Sequence, residues 1–484
     1  MVYSVETIIR SAVTKSFGVV ADFNRRRIPA TNVSHPFLSG IHAPMREELT
    51  LQDLNVTGTI PPALDGRYLR IGPNPIVPNP AGYHWFSGDG MVHAVAIKQG
   101  QALSYRNRWI RSNAVAKALG EQPASGPRHG GFDTVNTNIL SVGGRTFALV
   151  EAGSFPVELS ETLDAQTYNP FDGTLKGSFT AHPHLDPLTG EQHAIAYEAT
   201  DPTTVRHVVI ASNGRVVREE PVAVQHGPSI HDCAITTRYA LILDLPVTFS
   251  IRTHVGGHLF PYRWNPDHQA RIGLLPRAAG GDETIWIDID PCYIFHVTNA
   301  YDLADGRVVL DAVVYDTMFA ESTKGPDALS RGLERWTIDP VTHTVERRTI
   351  DATPQEFPRL DERRFGQLYR YAYTLGLPER GEQFIGANFL LKHDLESGER
   401  QVHDFGEDNY PGEFVFVPAH ENSAEDEGWL VGLVVDMKAD TTDLAILDAR
   451  DFTGAPVATI RIPHRVPPGF HGNWIAAPAQ PNAS

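Results

Sequence analysis

Two cysteines in 484 residues rule out a disulfide framework. Cys233 and Cys292 also lack the mutual spacing of a metal-binding pair, and each reads as a buried apolar thiol. No apolar run reaches the roughly eighteen residues of a membrane-spanning helix. The N-terminus shows no apolar core with a cleavage site, so the cytoplasm is the expected compartment. Neither a low-complexity tract nor a long charge run marks a linker. Basic clusters are equally scarce. There are 41 Lys and Arg against 58 Asp and Glu, a formal net charge of −17. That balance argues against a nucleic-acid role, because phosphate binding requires clustered cations. The acidity itself reads as solubility.

What is present divides into a short arm and a long β-rich body. Val2, Val5, Ile8, Ile9, Val13 and Phe17 follow helical spacing, with Arg10 and Lys15 between them and Arg25, Arg26 and Arg27 beyond. Residues 1–27 are therefore expected to form an amphipathic arm. It could lie on an anionic membrane surface or pack against the body. Beyond about residue 45 the helical signal fades into short apolar runs such as "RHVVIAS", "YALILDLPV", "RVVLDAVVYD" and "GWLVGLVVD". One turn recurs: "DPLTGE" at Asp186, "DPVTHT" at Asp339, "DLESGE" at Asp394 and "DARDFTG" at Asp448. The last three starts lie 55 and 54 residues apart, near the period of a four-stranded propeller blade. Residues 28–484 are thus expected to be one all-β, seven-bladed propeller, with loops and short helices capping its axis. A two-sheet sandwich is the rival, but it makes poor use of this length. Gly72, Gly88 and Gly90 read as tight turns, since no lysine or helix start follows to make a phosphate loop.

Four histidines sit in short strand-like apolar segments: His182 in "FTAHPHLDP", His231 in "PSIHDCAIT", His296 in "CYIFHVTNAYD" and His471 in "PPGFHGNW". Their intervals of 49, 65 and 175 residues approximate one, one and three blades, so inner strands of separate blades would aim one imidazole each at the axis. Four neutral imidazoles suit a first-row transition metal and leave two octahedral positions open for oxygen or substrate. Zinc more often takes three histidines and a water, so the set leans towards iron. Ligating imidazoles need acceptors for their other N–H. The candidates are Glu151 in "LVEAG", Glu356 in "PQEFPRLDE" and Glu413 in "PGEFVFVP", each flanked by apolar residues where an unpaired charge is costly. His184, two residues after His182, is a rival ligand, and His93 a further decoy. If all these histidines were structural, the chain would be a non-catalytic binding scaffold.

The ordered segments "LDGRYLRIGPNP", "YHWFSGDGMVHAV", "NTNIL", "TAHPHLDPLTGE", "SIHD", "FHVTNAYD", "QEFPRLDER" and "PHRVPPGFHGNW" resemble the carotenoid cleavage oxygenase family from about Leu54 to Trp474. The resemblance implies a seven-bladed propeller holding non-haem Fe(II) by His182, His231, His296 and His471, with Glu151, Glu356 and Glu413 behind them. It also implies O2-dependent cleavage of a carbon–carbon double bond to two carbonyl products. It favours His182 over His184 as ligand and places Thr137 of "NTN" near the iron.

The substrate is narrowed by two departures. Stilbene cleavers of this family use a lysine shortly before "NTN", whereas no lysine occurs here between Lys117 and Lys176; Arg128 and His129 are the nearest substitutes. The stretch after "LDLPVTFS" is short and only partly apolar, which suits an apocarotenoid better than a long carotenoid. An apocarotenoid or carotenoid is therefore the expected substrate, with a stilbene as the alternative. Phe86, Tyr105, Trp109, Phe295 and Phe470 are the candidate tunnel aromatics.

Overall fold

The computed structural model describes residues 20–21, 23–25, 27–28, 35–379 and 384–477. Seven antiparallel sheets make up seven blades, and an extra hairpin is inserted into one of them. The first strands of blades 2 to 6 are Asn138–Val142, His184–Leu185, Cys233–Ile235, Val297–Asp302 and Gln355–Arg359; that of blade 7 is Asn409–Pro418. Each stands at one end of its sheet, and most of these strands pack directly against their counterparts in neighbouring blades. Together they line the axis.

Ring closure uses both ends of the chain. Gly472–Ala476 pairs with Gly66–Pro73 and becomes the inner strand of blade 1. Asn55–Gly58 pairs with Ala458–Ile462 and becomes the outer strand of blade 7. Two neighbouring blades are thereby completed by strands far away in sequence, a closure that leaves no inner edge unpaired.

The strand chemistry follows position in the blade. Val308–Tyr315 ("VVLDAVVY") is the second strand of blade 5 and is buried along its whole length. Its one charge, Asp311, is held by Arg335 at 2.7 and 2.8 Å and by the Tyr369 hydroxyl at 2.7 Å, as a buried carboxylate requires. Two strands outward, Thr344–Asp351 ("TVERRTID") is charged and has no fully buried residue. The recurring turns at Asp339, Asp394 and Asp448 all join the third and fourth strands of blades 5, 6 and 7, which is why they keep the blade period. In each, the Asp side chain accepts a backbone N–H two residues on, at 2.8, 3.1 and 2.8 Å. Asp186 makes the same bond to Leu188 N but joins the first and second strands of blade 3, so it falls outside the period.

Gly72 and Gly90 are not turn residues. Both lie in paired strands with ordinary backbone angles. A Cβ on Gly72 would overlap the Gly469 backbone, and one on Gly90 would overlap the Val135 carbonyl. Gly88 follows a short 3-10 turn and faces Pro73. Close approach of backbones, and not left-handed geometry, selects glycine here. Gly90→Ala is expected to cost about 1–3 kcal/mol, read as a lower denaturant midpoint at unchanged slope.

Of the N-terminal arm, Val2 through Phe17 and Arg26 lie outside the described residues. Arg25 Nε donates to Gly257 O at 3.0 Å and Asn24 Nδ2 to Val255 O at 2.7 Å, which ties this segment to the loop of the inserted hairpin. Among the described residues no helix is long and apolar enough to cross a membrane. Cys233 and Cys292 are buried and unpaired to each other.

Candidate metal centre

The four histidines occupy one structural position four times. His182 and His231 precede the inner strands of blades 3 and 4 by two residues; His296 and His471 immediately precede those of blades 5 and 1. Their ring nitrogens converge within 4.8 Å of one another. His296 Nε2 lies 3.2 Å from His231 Nε2 and 3.1 Å from His471 Nε2. The His182 ring is centred 4.5 to 5.0 Å from the other three.

The remaining three blades supply the carboxylates. Glu151 follows the second strand of blade 2, Arg145–Leu149, while Glu356 and Glu413 lie in the inner strands of blades 6 and 7. Glu151 Oε1 meets His231 Nδ1 at 3.0 Å, Glu356 Oε2 meets His296 Nδ1 at 2.5 Å, and Glu413 Oε1 meets His471 Nδ1 at 3.0 Å. These acceptors fix the Nδ1–H tautomer and leave each Nε2 lone pair pointing inward. Glu356 also accepts from the Tyr315 hydroxyl at 3.1 Å, and Glu413 from Gly472 N at 2.9 Å.

The residues fit a cation. Inward-facing lone pairs about 3 Å apart repel unless a positive charge sits between them, and among the described residues His182 Nε2 is buried with no hydrogen-bond partner. Burial pushes His182 well below the usual imidazole pKa, with the neighbouring imidazoles adding to the effect. Burial also lowers His471, partly offset by Glu413. At His296 burial acts in the same direction, but Glu356, with Asp232 and Glu413 behind it, raises the group overall; the same negative field favours a metal ion there. Although burial opposes it, Arg359 and His471 hold Glu413 down at about 2, so it stays ionised.

Thr137 lies against this site through its backbone. His471 N donates to Thr137 O at 3.2 Å and Thr137 N to Leu149 O at 3.0 Å. Its neighbours stitch the segment down: Asn136 Nδ2 donates to Phe86 O and Gly88 O, and Asn138 Nδ2 to Ala181 O. The rival His184 is turned away. Its Nε2 meets Asp232 at 2.7 Å, and the other Asp232 oxygen accepts from Val297 N at 2.8 Å. Asp232 thus ties blade 3 to the segment carrying His296. It went unread in the sequence although "SIHD" contains it.

Three of the five candidate aromatics gather beside the histidines. Phe295 and Phe86 lie 5.3 and 6.4 Å from the His231 ring, and Phe470 lies 5.4 Å from Phe86. Tyr105 and Trp109 do not belong there. They pack in the core between blades 1 and 7 with Val415 and Leu433, where the Tyr105 hydroxyl meets His93 Nδ1 and Trp109 Nε1 donates to Asn74 O. A strand's outer residues meet the neighbouring blade, not the axis. Phe260, Phe319, Phe357 and His84 join the aromatic set, as do Phe384 and Trp85, and all were missed. Their sequence signals are weak. Phe319 and Phe357 owe their direction to backbone φ of +54° and +51°, and Phe260 arrives on the hairpin inserted into blade 4.

The family model described as retinal pigment epithelial membrane protein (RPE65) matches residues 42–476. This is the carotenoid cleavage oxygenase family. The chain belongs to it. A carotenoid cleavage oxygenase of Mycobacterium tuberculosis is 41% identical, over 92% of this chain and 98% of that protein. An apocarotenoid-15,15'-oxygenase of Synechocystis is 30% identical, over 87% and 92% of the two chains. The solved structure of cobalt-substituted Synechocystis apocarotenoid oxygenase (ACO) matches with a TM-score of 0.80 at 28% identity, covering 90% of this chain and 97% of that one. Lignostilbene dioxygenase of Pseudomonas brassicacearum matches with 0.82 at 27%, covering 93% and 100%. Relatives named for carotenoid and apocarotenoid cleavage favour an enzyme over a non-catalytic binding scaffold.

Proposed function

We propose that this protein is a non-haem Fe(II) dioxygenase that cleaves a double bond of an apocarotenoid or carotenoid. The alkene and O2 give two carbonyl products, one oxygen atom ending on each carbon. The observation that carries the reading is the convergence of four Nε2 atoms, three of them backed by carboxylates through Nδ1. His182, His231, His296 and His471 would hold the iron. When bound, it supplies the redox-active centre that allows O2 to react with a closed-shell alkene.

The chain's own residues have three tasks. The glutamates orient the imidazoles, hold the proton on Nδ1 and keep the rings electron-rich. Phe86, Phe295 and Phe470 offer flat apolar surface against which a conjugated chain can lie, and they exclude water. The 136–138 segment, with Thr137 O accepting from His471 N, holds the backbone that carries this ligand in place. None of these tasks requires a protein nucleophile or general acid.

Support for a polyene over a stilbene comes from the residues that replace the phenol-binding lysine. Arg128 is committed to Asp133 at 3.0 Å and stacks on Tyr168, and His129 is bonded to both Glu198 oxygens at 3.0 and 3.1 Å. Neither is free to receive a phenol. Incubation of the Fe(II)-loaded protein in air with an apocarotenal and, separately, with resveratrol is expected to yield two carbonyl products from the first only. Mass spectrometry detects them, and cleavage of resveratrol alone would overturn the substrate assignment.

A further inference from the structure

His84 is an unused polar group inside an aromatic surround. It precedes the 3-10 turn Trp85–Ser87 and caps it: Phe86 N–H donates to His84 Nδ1 at 3.1 Å. An acceptor at Nδ1 places the proton of the neutral ring on Nε2. The residue is only 2% exposed, and among the described residues that Nε2 has no hydrogen-bond partner. Burial pushes the imidazole well below its usual pKa, with nearby His35, His258 and Arg263 acting in the same direction, so the ring is a neutral N–H donor. A fully buried, unpaired donor is destabilising in the free protein.

Its surroundings belong to the substrate region. The imidazole stacks on Phe260 with centroids 4.3 Å apart and 14° between planes, and meets Phe86 edge-on at 5.2 Å. Phe86 in turn contacts the rings of His231, Phe295 and Phe470. Phe260 is half-buried, so the aromatic set runs from solvent past His84 to the candidate metal centre. Of the groups that lower His84, Arg263 is the permanent cation. Arg263 points its guanidinium at the carbonyls of Ser322 and Ala320 and not at a carboxylate. Such a field suits an electron-rich oxygen.

We infer that His84 Nε2–H anchors the terminal oxygen of an oxygenated polyene, an aldehyde carbonyl or its equivalent, and so decides which double bond comes to rest beside the four histidines. The inference rests on the polyene-cleaving reading and adds to it an end-group requirement. A hydrocarbon end would leave the donor unpaired, whereas a carbonyl satisfies it. Pairing one buried donor is worth about tenfold in affinity. Because the anchor acts on one end of a rigid chain, its loss also frees the substrate to slide.

Two variants test this. His84→Asn keeps an oxygen near the Nδ1 position to cap the turn but lacks the reach of Nε2; His84→Phe keeps the ring stack and lacks both nitrogens. The probes are a linear apocarotenal and the hydrocarbon polyene of the same length. Equilibrium binding is measured anaerobically, and turnover with product chain lengths in air. The wild type is expected to favour the aldehyde about tenfold in Kd and kcat/KM. Both variants should lose most of that ratio, chiefly through KM, and should yield mixed product lengths. Wild-type preference for neither probe, or variants that keep both the ratio and a single product pair, would overturn the inference while leaving the cleavage reading intact. A wild type that cleaves no polyene would overturn both.

Discussion

His296→Ala leaves a protein that retains no iron and cleaves no polyene. His296 is the hub of the cluster, with its Nε2 3.2 Å from that of His231 and 3.1 Å from that of His471. No other imidazole has two such neighbours among the described hydrogen bonds. Losing it removes a ligand and also takes from the fully buried Glu356 one of the donors that hold it. The drop in metal affinity should therefore exceed the roughly 100-fold that loss of a supporting partner causes. Metal content after anaerobic loading and gel filtration measures it. His184→Ala is the matched control. It removes a buried imidazole two residues from His182, yet should keep the metal, because that ring is committed to Asp232. Equal metal loss in both variants would show that the site responds to general damage and not to ligand removal.

Glu356→Ala has the next largest expected effect. Its carboxylate serves His296 Nδ1 at 2.5 Å, the Tyr315 hydroxyl at 3.1 Å and Phe357 N at 2.5 Å. Alanine leaves three buried donors unpaired at once. Metal affinity should fall about 10- to 100-fold, and stability by about 3–5 kcal/mol, as when one partner of a buried polar pair is removed. Glu356→Gln separates the two effects. The amide oxygen can still accept from His296, so stability should largely recover while the weakened imidazole keeps the metal affinity low. Competition titration with a chelator reads the first quantity and denaturant unfolding the second. A Glu356→Ala protein that binds metal like the wild type would contradict the supporting role.

The histidines and glutamates were legible because each is an expensive residue placed in an apolar segment, and the fold places them all in or next to strands near the axis. The blade period was legible through Asp339, Asp394 and Asp448, because the hairpin between third and fourth strands needs a side-chain acceptor at its first residue. Asp186 makes the same turn elsewhere in its blade, so turn chemistry alone did not locate it. Closure was not legible. Nothing local in Asn55–Gly58 or Gly472–Ala476 records that their partners lie some four hundred residues away. The aromatics divided for a related reason. Alternation along Gln101–Trp109 says that Tyr105 and Trp109 are buried, but whether a buried face meets the next blade or the axis depends on radial position. That is a property of the assembled sheet. Phe260 and Phe319 reach the site only through an inserted hairpin and a left-handed backbone.

Central to the whole account is one metal ion held by His182, His231, His296 and His471. Anaerobic loading of the purified protein with Fe(II), followed by removal of free metal and elemental analysis, tests it most directly. About one iron per chain is expected in the wild type, falling to background in His296→Ala. Wild-type protein that emerges without iron, or that binds it equally well without His296, would contradict the claim.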